Sequence, residues 1–166
     1  MNVWLLVTII AVVAVAVVVK RLRGEPLNAR DLFAPPLVLT GLGIWALTEV
    51  EGLSGTDLGW VIAGAVVGVG LGAVRGATIQ VYPKDGILFQ RYTGRTFLVI
   101  VGSLVVMAGF GFLAVRMGMH EQARPINLSI GVGFLGEALV VGARGLASGV
   151  PFAPEKPSLL DKYSGR

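Results

Sequence analysis

The sequence FLVIVGSLVVMAGFGFLAV occupies residues 97–115 and is followed directly by Arg116. At about 1.5 Å of rise per residue, a helix of this length nearly spans the ~30 Å hydrocarbon core of a bilayer. The run contains no charged side chain. A helix also satisfies every backbone polar group within the segment, as a lipid environment requires. The run therefore predicts a transmembrane α-helix.

Four more apolar runs have the same character, at residues 3–19, 34–47, 58–74 and 126–142. The whole chain of 166 residues is 54% hydrophobic and 14% charged, with a mean hydropathy of +0.77. Soluble domains carry about 25% charged residues. We therefore predict an all-α membrane protein with a single transmembrane domain (1–147) of five helices, followed by an extended or mobile cytoplasmic tail at residues 148–166.

The flanks of the first apolar run distinguish a membrane anchor from a signal peptide. A signal peptide carries positive charge before its apolar run and a small-residue cleavage site after it. Here the basic residues Lys20, Arg21 and Arg23 follow the run. We expect a retained helix whose N-terminus lies outside the cell.

The positive charges predict the orientation of the whole bundle. With the N-terminus outside, only Arg116 and Arg124 of the fourteen basic residues fall in outer segments. Short cytoplasmic loops carry the excess of Lys and Arg in membrane proteins. We therefore expect a multi-pass protein of the bacterial cytoplasmic membrane with its C-terminus inside. The twelve inner residues are Lys20, Arg21, Arg23, Arg30, Arg75, Lys84, Arg91, Arg95, Arg144, Lys156, Lys162 and Arg166.

The first inner loop is basic and polar. We expect it to contact anionic lipid headgroups, at about 1 kcal/mol per basic side chain. A specific site for a lipid headgroup or another anion is the alternative. The candidate headgroup residues are Lys20, Arg21, Arg23 and Arg30.

The second inner loop predicts a short cytoplasmic β-hairpin at residues 78–92, between the third and fourth helices. Its two arms alternate with the period of a strand, and the sequence Pro83-Lys84-Asp85-Gly86 between them is typical of a turn. An isolated two-stranded hairpin is marginally stable. It must therefore contact helix ends, headgroups, a second copy or a partner. The candidate docking residues are Tyr82, Ile87, Phe89, Arg91 and Tyr92.

Glycines recur every four residues in the third apolar run and so share one helix face. Such a stripe lets another helix backbone approach closely. We favour a helix of the same chain as its partner over a helix of a second copy. The stripe consists of Gly64, Gly68, Gly72 and Gly76.

Glu137 lies near the middle of the fifth apolar run, where an ionised carboxylate is costly and indicates function. Three interpretations stay open. It is a paired or protonated structural group, a carboxylate that handles protons or cations in a transporter, or a contact for a ligand or partner subunit. Arg144 lies two turns away near the same side of the helix, and both residues are candidate functional residues.

No cluster of residues indicates catalysis, a cofactor or a metal site. The chain has no cysteine, which excludes thiol chemistry and Cys-ligated metals, and its one histidine, His120, lies beside Glu121 in an outer loop. A solvated loop is the simpler interpretation of that pair. We expect no enzyme activity and no nucleic-acid partner.

The order of features resembles that of the CcdC-like family of small bacterial multi-pass membrane proteins. The resemblance covers about residues 20–115. It rests on the basic loop with Arg21, Arg23, Pro26 and Arg30, on the glycine-rich helix ending Gly72-Ala-Val-Arg-Gly76, and on the hairpin with its Asp85-Gly86 turn. It implies a membrane protein that assists a membrane assembly process such as cytochrome c biogenesis. Without cysteine, this chain would take part only indirectly.

These features predict a non-enzymatic accessory or structural membrane protein. Its cytoplasmic hairpin and basic loop would dock a partner membrane protein or a second copy of the chain. The alternative is a small oligomeric transporter, or a component of an immunity-type exporter, that uses Glu137.

Overall fold

The computed structural model describes residues 19–155. Apart from Val19, the predicted first helix lies outside the described residues, as does the predicted tail beyond residue 155. Residues 19–23 are helical. The elements that follow are β1 (Glu25–Pro26), α1 (Ala29–Thr48), α2 (Gly55–Thr78), β2 (Gln80–Lys84), β3 (Ile87–Arg91), α3 (Gly94–Arg116), a 3-10 turn (Glu121–Ala123) and α4 (Ile126–Ala147).

The four long helices are each long and apolar enough to cross a membrane. They correspond to the second to fifth predicted helices and extend beyond the apolar runs, and polar side chains cap the N-termini of α1, α2 and α3. Ser54 and Asp57 form a capping box at the start of α2, and Thr93 and Thr96 form one at the start of α3.

Helix α1 begins earlier than the sequence predicts. The predicted apolar run begins at residue 34, which would place Pro35 and Pro36 in the first turn, but both lie inside the helix. The Asn28 side chain accepts hydrogen bonds from the backbone N–H groups of Arg30 and Asp31 and so caps the helix before the prolines.

Helix α4 lies between α1 and α2, and α3 packs on α2. Against α1 it runs antiparallel, since Gly43 lies on Leu128 and Gly142 lies on Phe33. Against α2 it runs parallel. The helices therefore have one end that carries the strands, called the sheet end here, and an opposite end formed by the 49–54 and 117–125 loops, called the far end.

The glycine stripe of α2 brings its backbone into contact with α4. Gly68 faces Val132, and a Cβ added at Gly72 would overlap the carbonyl oxygen of Gly133. A Cβ at Gly76 would come within 2.8 Å of the Glu137 carbonyl oxygen. The fourth glycine of the stripe, Gly64, instead faces the Phe110 ring of α3. All four glycines thus contact helices of the same chain.

The sheet has three antiparallel strands in the order β1-β3-β2. The predicted hairpin forms β2 and β3, and its turn residues Asp85 and Gly86 have φ values of 53° and 78°. Both values belong to the left-handed region that a tight two-residue hairpin turn requires. The strand β1 comes from the first basic loop and adds the pairs Glu25 with Gln90 and Pro26 with Phe89.

A hydrophobic core attaches the sheet to the end of α4. It consists of Leu27, Ile79, Leu88, Tyr92 and Val141, with Phe152 packed against it. Residues 151–155, the first part of the predicted tail, also bind the sheet. The Leu88 N–H donates to Pro151 O at 3.0 Å, and the Ala153 N–H donates to Leu27 O at 2.9 Å. The hairpin is therefore supported by the basic loop, the end of α4 and the segment after it.

The close contact between α2 and α4 yields a first prediction. We expect Gly72→Ala to lower the free energy of unfolding by at least about 1–3 kcal/mol, because the added methyl group forces the two backbones apart. Gly70→Ala is the matched control on the same helix, since a Cβ there meets nothing within 4 Å. Circular dichroism during denaturation in mild detergent measures the free energy of unfolding of both variants. Equal stability of the two variants would contradict the packing argument.

Candidate functional site

Both carboxylate oxygens of Glu137 are occupied. Oε2 accepts a hydrogen bond from the Nε of Arg75, and Oε1 accepts one from the Tyr92 hydroxyl at 2.5 Å. The Arg75 guanidinium also donates to Gly133 O at 3.3 Å and lies 4.9 Å from the centre of the Phe134 ring. Only 12% of the Arg75 side chain and 7% of the Glu137 side chain are exposed. The three groups form a buried, paired charge cluster.

The cluster joins Glu137, near the middle of α4, to residues at the sheet end of the bundle. Its partner Arg75 is in the last turn of α2, and Tyr92 precedes the first residue of α3. Helix α4 continues beyond Glu137 and packs beneath the sheet, where Val141 is fully buried. Because α4 continues to Ala147, beyond the predicted end of the apolar run at residue 142, Glu137 lies near the middle of this helix, at the level where α2 ends.

Tyr92 joins the charge cluster to the sheet. Its N–H donates to Arg21 O at 3.0 Å, and the Arg21 guanidinium lies 5.0 Å from its ring centre. Burial raises the pKa of the Tyr92 phenol above its ordinary range, and the Glu137 carboxylate acts in the same direction. The phenol therefore stays protonated and remains a hydrogen-bond donor. Because Tyr92 is only 6% exposed, its expected role in docking is wrong.

Arg144 does not pair with Glu137. Its Nη1 donates to the carbonyl oxygens of Gly76 at 3.2 Å and Ile79 at 2.7 Å, at the C-terminus of α2. A cation at this position donates hydrogen bonds to carbonyls that lack a helical partner, and it interacts favourably with the negative end of the helix dipole. Arg144 thus caps a neighbouring helix, whereas Arg75, which we did not select from the sequence, is the cation that contacts Glu137.

The charge cluster yields a second prediction. We expect Glu137→Gln and Arg75→Gln each to lower the free energy of unfolding by about 3–5 kcal/mol, because each leaves a buried charge without its partner. Tyr92→Phe removes one hydrogen bond and should cost about 1 kcal/mol.

The double variant Arg75→Gln/Glu137→Gln tests the pairing, with all variants denatured in the same detergent. Its loss of stability should be clearly smaller than the sum of the two single losses. Additive losses would contradict a direct ion pair.

Most of the predicted headgroup residues contact acidic side chains at the sheet end. The ammonium of Lys20 lies 3.2 Å from Glu25, and the guanidinium of Arg21 lies 2.5 Å from the same carboxylate. Arg30 pairs with Glu155 at 3.4 Å, with both side chains largely exposed. Arg23 is exposed. The exposed pair of Arg30 and Glu155 contributes little to stability, whereas the Glu25 side chain is only 16% exposed. Contact of these cations with lipid headgroups stays a prediction.

The sheet exposes one face, called the outer face here. Directly paired residues of antiparallel strands share a face, and the side chains alternate along each strand. Leu88 and Gln90 point into the core and are 0% and 7% exposed. Lys84 Nζ lies 5.3 Å from the centre of the Phe89 ring. The outer face therefore consists of the hairpin residues Gln80, Tyr82, Lys84, Ile87, Phe89 and Arg91, with Pro26 of β1 beside Phe89.

A second polar cluster ties the loop before α4 to the start of α2 at the far end. The fully buried Asp57 carboxylate accepts hydrogen bonds from the backbone N–H and the ring Nδ1 of His120, at 2.8 and 2.9 Å. It also accepts from the N–H and hydroxyl of Ser54, at 2.9 and 2.7 Å. Between residues 19 and 155, no group of three or more His, Cys, Asp or Glu side chains is placed to hold a metal ion. This cluster is a structural tie.

Comparison with known proteins adds no relative. No protein-family model matches the chain, no curated protein matches it, and no solved structure matches it. The resemblance to the CcdC-like family stays a prediction based on the residues quoted for it.

Proposed function

We propose that this chain is a non-enzymatic accessory protein of the bacterial cytoplasmic membrane, and that it docks another protein chain on the outer face of its sheet. The observation that carries the proposal is the outer face itself. It presents two aromatic rings next to basic side chains on a sheet whose opposite face is packed against helix α4.

The rigid support of the outer face favours binding. The core beneath the sheet is closed by Leu88, which is fully buried, and by the hydrogen bonds from the 151–155 segment. A surface that is ordered before binding loses less conformational entropy when a partner arrives. We infer that recognition is the role that this order serves.

The composition of the outer face fits a protein partner. Tyrosine, phenylalanine and arginine are enriched at the centres of protein interfaces. The rings of Tyr82 and Phe89 lie 6.1 Å apart, and Arg91 follows on the same face. A partner with apolar side chains and a few carboxylates would complement this surface.

The geometry of β2 favours docking through side chains over the addition of a fourth strand. The N–H and C=O groups of Leu88 point to Pro151 and Leu27, away from β2. The backbone groups of its partner Pro83 therefore point to the free edge of β2. Proline has no N–H, so this edge lacks a donor that an added strand requires.

The contacts of Glu137 favour the accessory role over transport. A carboxylate that carries protons or cations needs a free oxygen on the path of the ion, whereas both oxygens of Glu137 are engaged by Arg75 and Tyr92. The resemblance to the CcdC-like family suggests a membrane assembly process, such as cytochrome c biogenesis, as the setting of the docking.

The proposal places the sheet end in the cytoplasm, and the basic residues support this orientation. Among residues 19–155, Arg116 and Arg124 are the basic residues of the far end. The sheet end carries the others, which fits the positive-inside rule. These are Lys20, Arg21, Arg23, Arg30, Arg75, Lys84, Arg91, Arg95 and Arg144.

Orientation provides a third prediction, and the absence of natural cysteine makes it simple to test. A membrane-impermeant maleimide should label Gln122→Cys on intact spheroplasts. It should label Asp85→Cys, in the hairpin turn, only after the membrane is permeabilised. The opposite pattern would reverse the orientation and remove the docking face from the cytoplasm.

Docking provides a fourth prediction. A photo-crosslinking amino acid in place of Phe89 should form a covalent adduct in living cells, because this ring lies on the outer face. An adduct of twice the chain mass identifies a second copy, and any other discrete mass identifies a partner. The same amino acid at Gln122 is the control at the far end. Absence of an adduct specific to position 89 contradicts the proposal.

Charge substitution should abolish the same adduct. With the crosslinker moved to Tyr82, we expect Ile87→Glu/Phe89→Glu to remove the adduct while the melting temperature changes little, because both side chains are partly exposed. Gln122→Glu adds negative charge at the far end and should leave the adduct unchanged.

A further inference from the structure

An apolar groove opens at the far end of the bundle. Helix α3 packs mainly on α2, which leaves a cavity of about 270 Å³ between these helices and the start of α4. This volume is close to the lower limit of about 300 Å³ for small-molecule sites. The lining is mostly apolar and includes Trp60, Met107, Phe110, Leu128 and Val132.

One cation lines this groove. The Arg124 guanidinium lies against the backbone of α3, where a Cβ added at Gly111 would overlap it. In the part of the chain from residue 19 to residue 155, no acidic side chain forms an ion pair with Arg124. The first apolar run cannot supply one either, because residues 1–18 contain no Asp or Glu.

The position of Arg124 along α3 indicates its depth. Gly111 precedes the last residue of that helix, Arg116, by five positions, or about 8 Å of helical rise. We place the end of α3 at the headgroup layer, which puts a guanidinium at this depth near the boundary between headgroups and acyl chains. Water is scarce there, so an unpaired cation is costly and an anionic partner is favoured.

We propose that the groove is a phospholipid-binding site, in which Arg124 contacts the lipid phosphate and one acyl chain lies along Trp60 and Phe110. The planar guanidinium donates two parallel hydrogen bonds to phosphate oxygens. The apolar lining continues from the guanidinium toward the membrane interior, as an acyl chain attached to that phosphate would. A helix of this chain or of a second copy would fill the groove with apolar side chains but would bring no phosphate.

Trp60 provides a direct reporter for the acyl chain. The chain has three tryptophans, so Trp4→Phe/Trp45→Phe leaves Trp60 as the only one. The purified full-length chain in mild detergent is titrated with phosphatidylglycerol that carries a dibrominated acyl chain. Bromine quenches indole fluorescence on contact. Dibrominated diacylglycerol, which has the same chains without the phosphate, is titrated in parallel.

We expect saturable quenching of Trp60 by the phospholipid at concentrations at least about tenfold below those needed for diacylglycerol, since the phosphate contact is charge-assisted. Arg124→Gln should remove this difference. Arg124→Lys should retain part of it, because it keeps the charge but not the bidentate geometry, and it serves as the test if Arg124→Gln unfolds. Arg116→Gln is the matched control, because Arg116 stacks on Phe112 at the same end and does not line the groove.

Two results would overturn the proposal. Equal quenching by both lipids in the parent chain would mean that the groove contacts bulk acyl chains without recognising phosphate. Absence of quenching by either lipid would mean that a protein segment covers Trp60.

Discussion

The contact between the backbones of α2 and α4 is the constraint on which the rest of the structure depends. Apolar side chains gain little from contacting each other in a bilayer, because lipid tails are equally apolar. Close packing has to hold the helices together, and glycine permits it at Gly72 of α2 and Gly136 of α4. This approach brings the end of α2 beside the middle of α4, and only then does Arg75 reach Glu137.

The ion pair in turn fixes the position of the sheet. A buried pair gains little net stability over apolar residues, but an unpaired buried charge is costly, so the pair disfavours any shift of α2 along α4. Tyr92 directly follows the strand β3, and its hydroxyl donates a hydrogen bond to Glu137 of the pair. Its N–H donates to Arg21 O and so links the pair to the first basic loop. The helix register and the placement of the outer face are thus linked through three side chains.

Sequence patterns predicted what depends on local periodicity. The four described helices follow from apolar runs of about twenty residues, and the hairpin follows from two-residue alternation around the Asp85-Gly86 turn. The glycine stripe follows from a four-residue spacing. Pairs separated by 62 and 63 residues, Arg75 with Glu137 and Asp57 with His120, have no such signal because they depend on how the helices pack. The strand β1 has only two residues, one of them a proline, so no alternating pattern predicts it.

Tyr92 was expected on the docking surface but is buried, and strand alternation in the sequence could have predicted its burial. Side chains alternate along a strand, so a face that exposes Ile87, Phe89 and Arg91 turns Leu88, Gln90 and the residue at position 92 inward. The same alternation that builds the outer face therefore delivers a phenol to the buried carboxylate of Glu137. A conspicuous acidic residue in a membrane helix can thus result from the need to anchor an exposed sheet to the bundle. In this chain, the contacts of Glu137 with Arg75 and Tyr92 provide that anchoring.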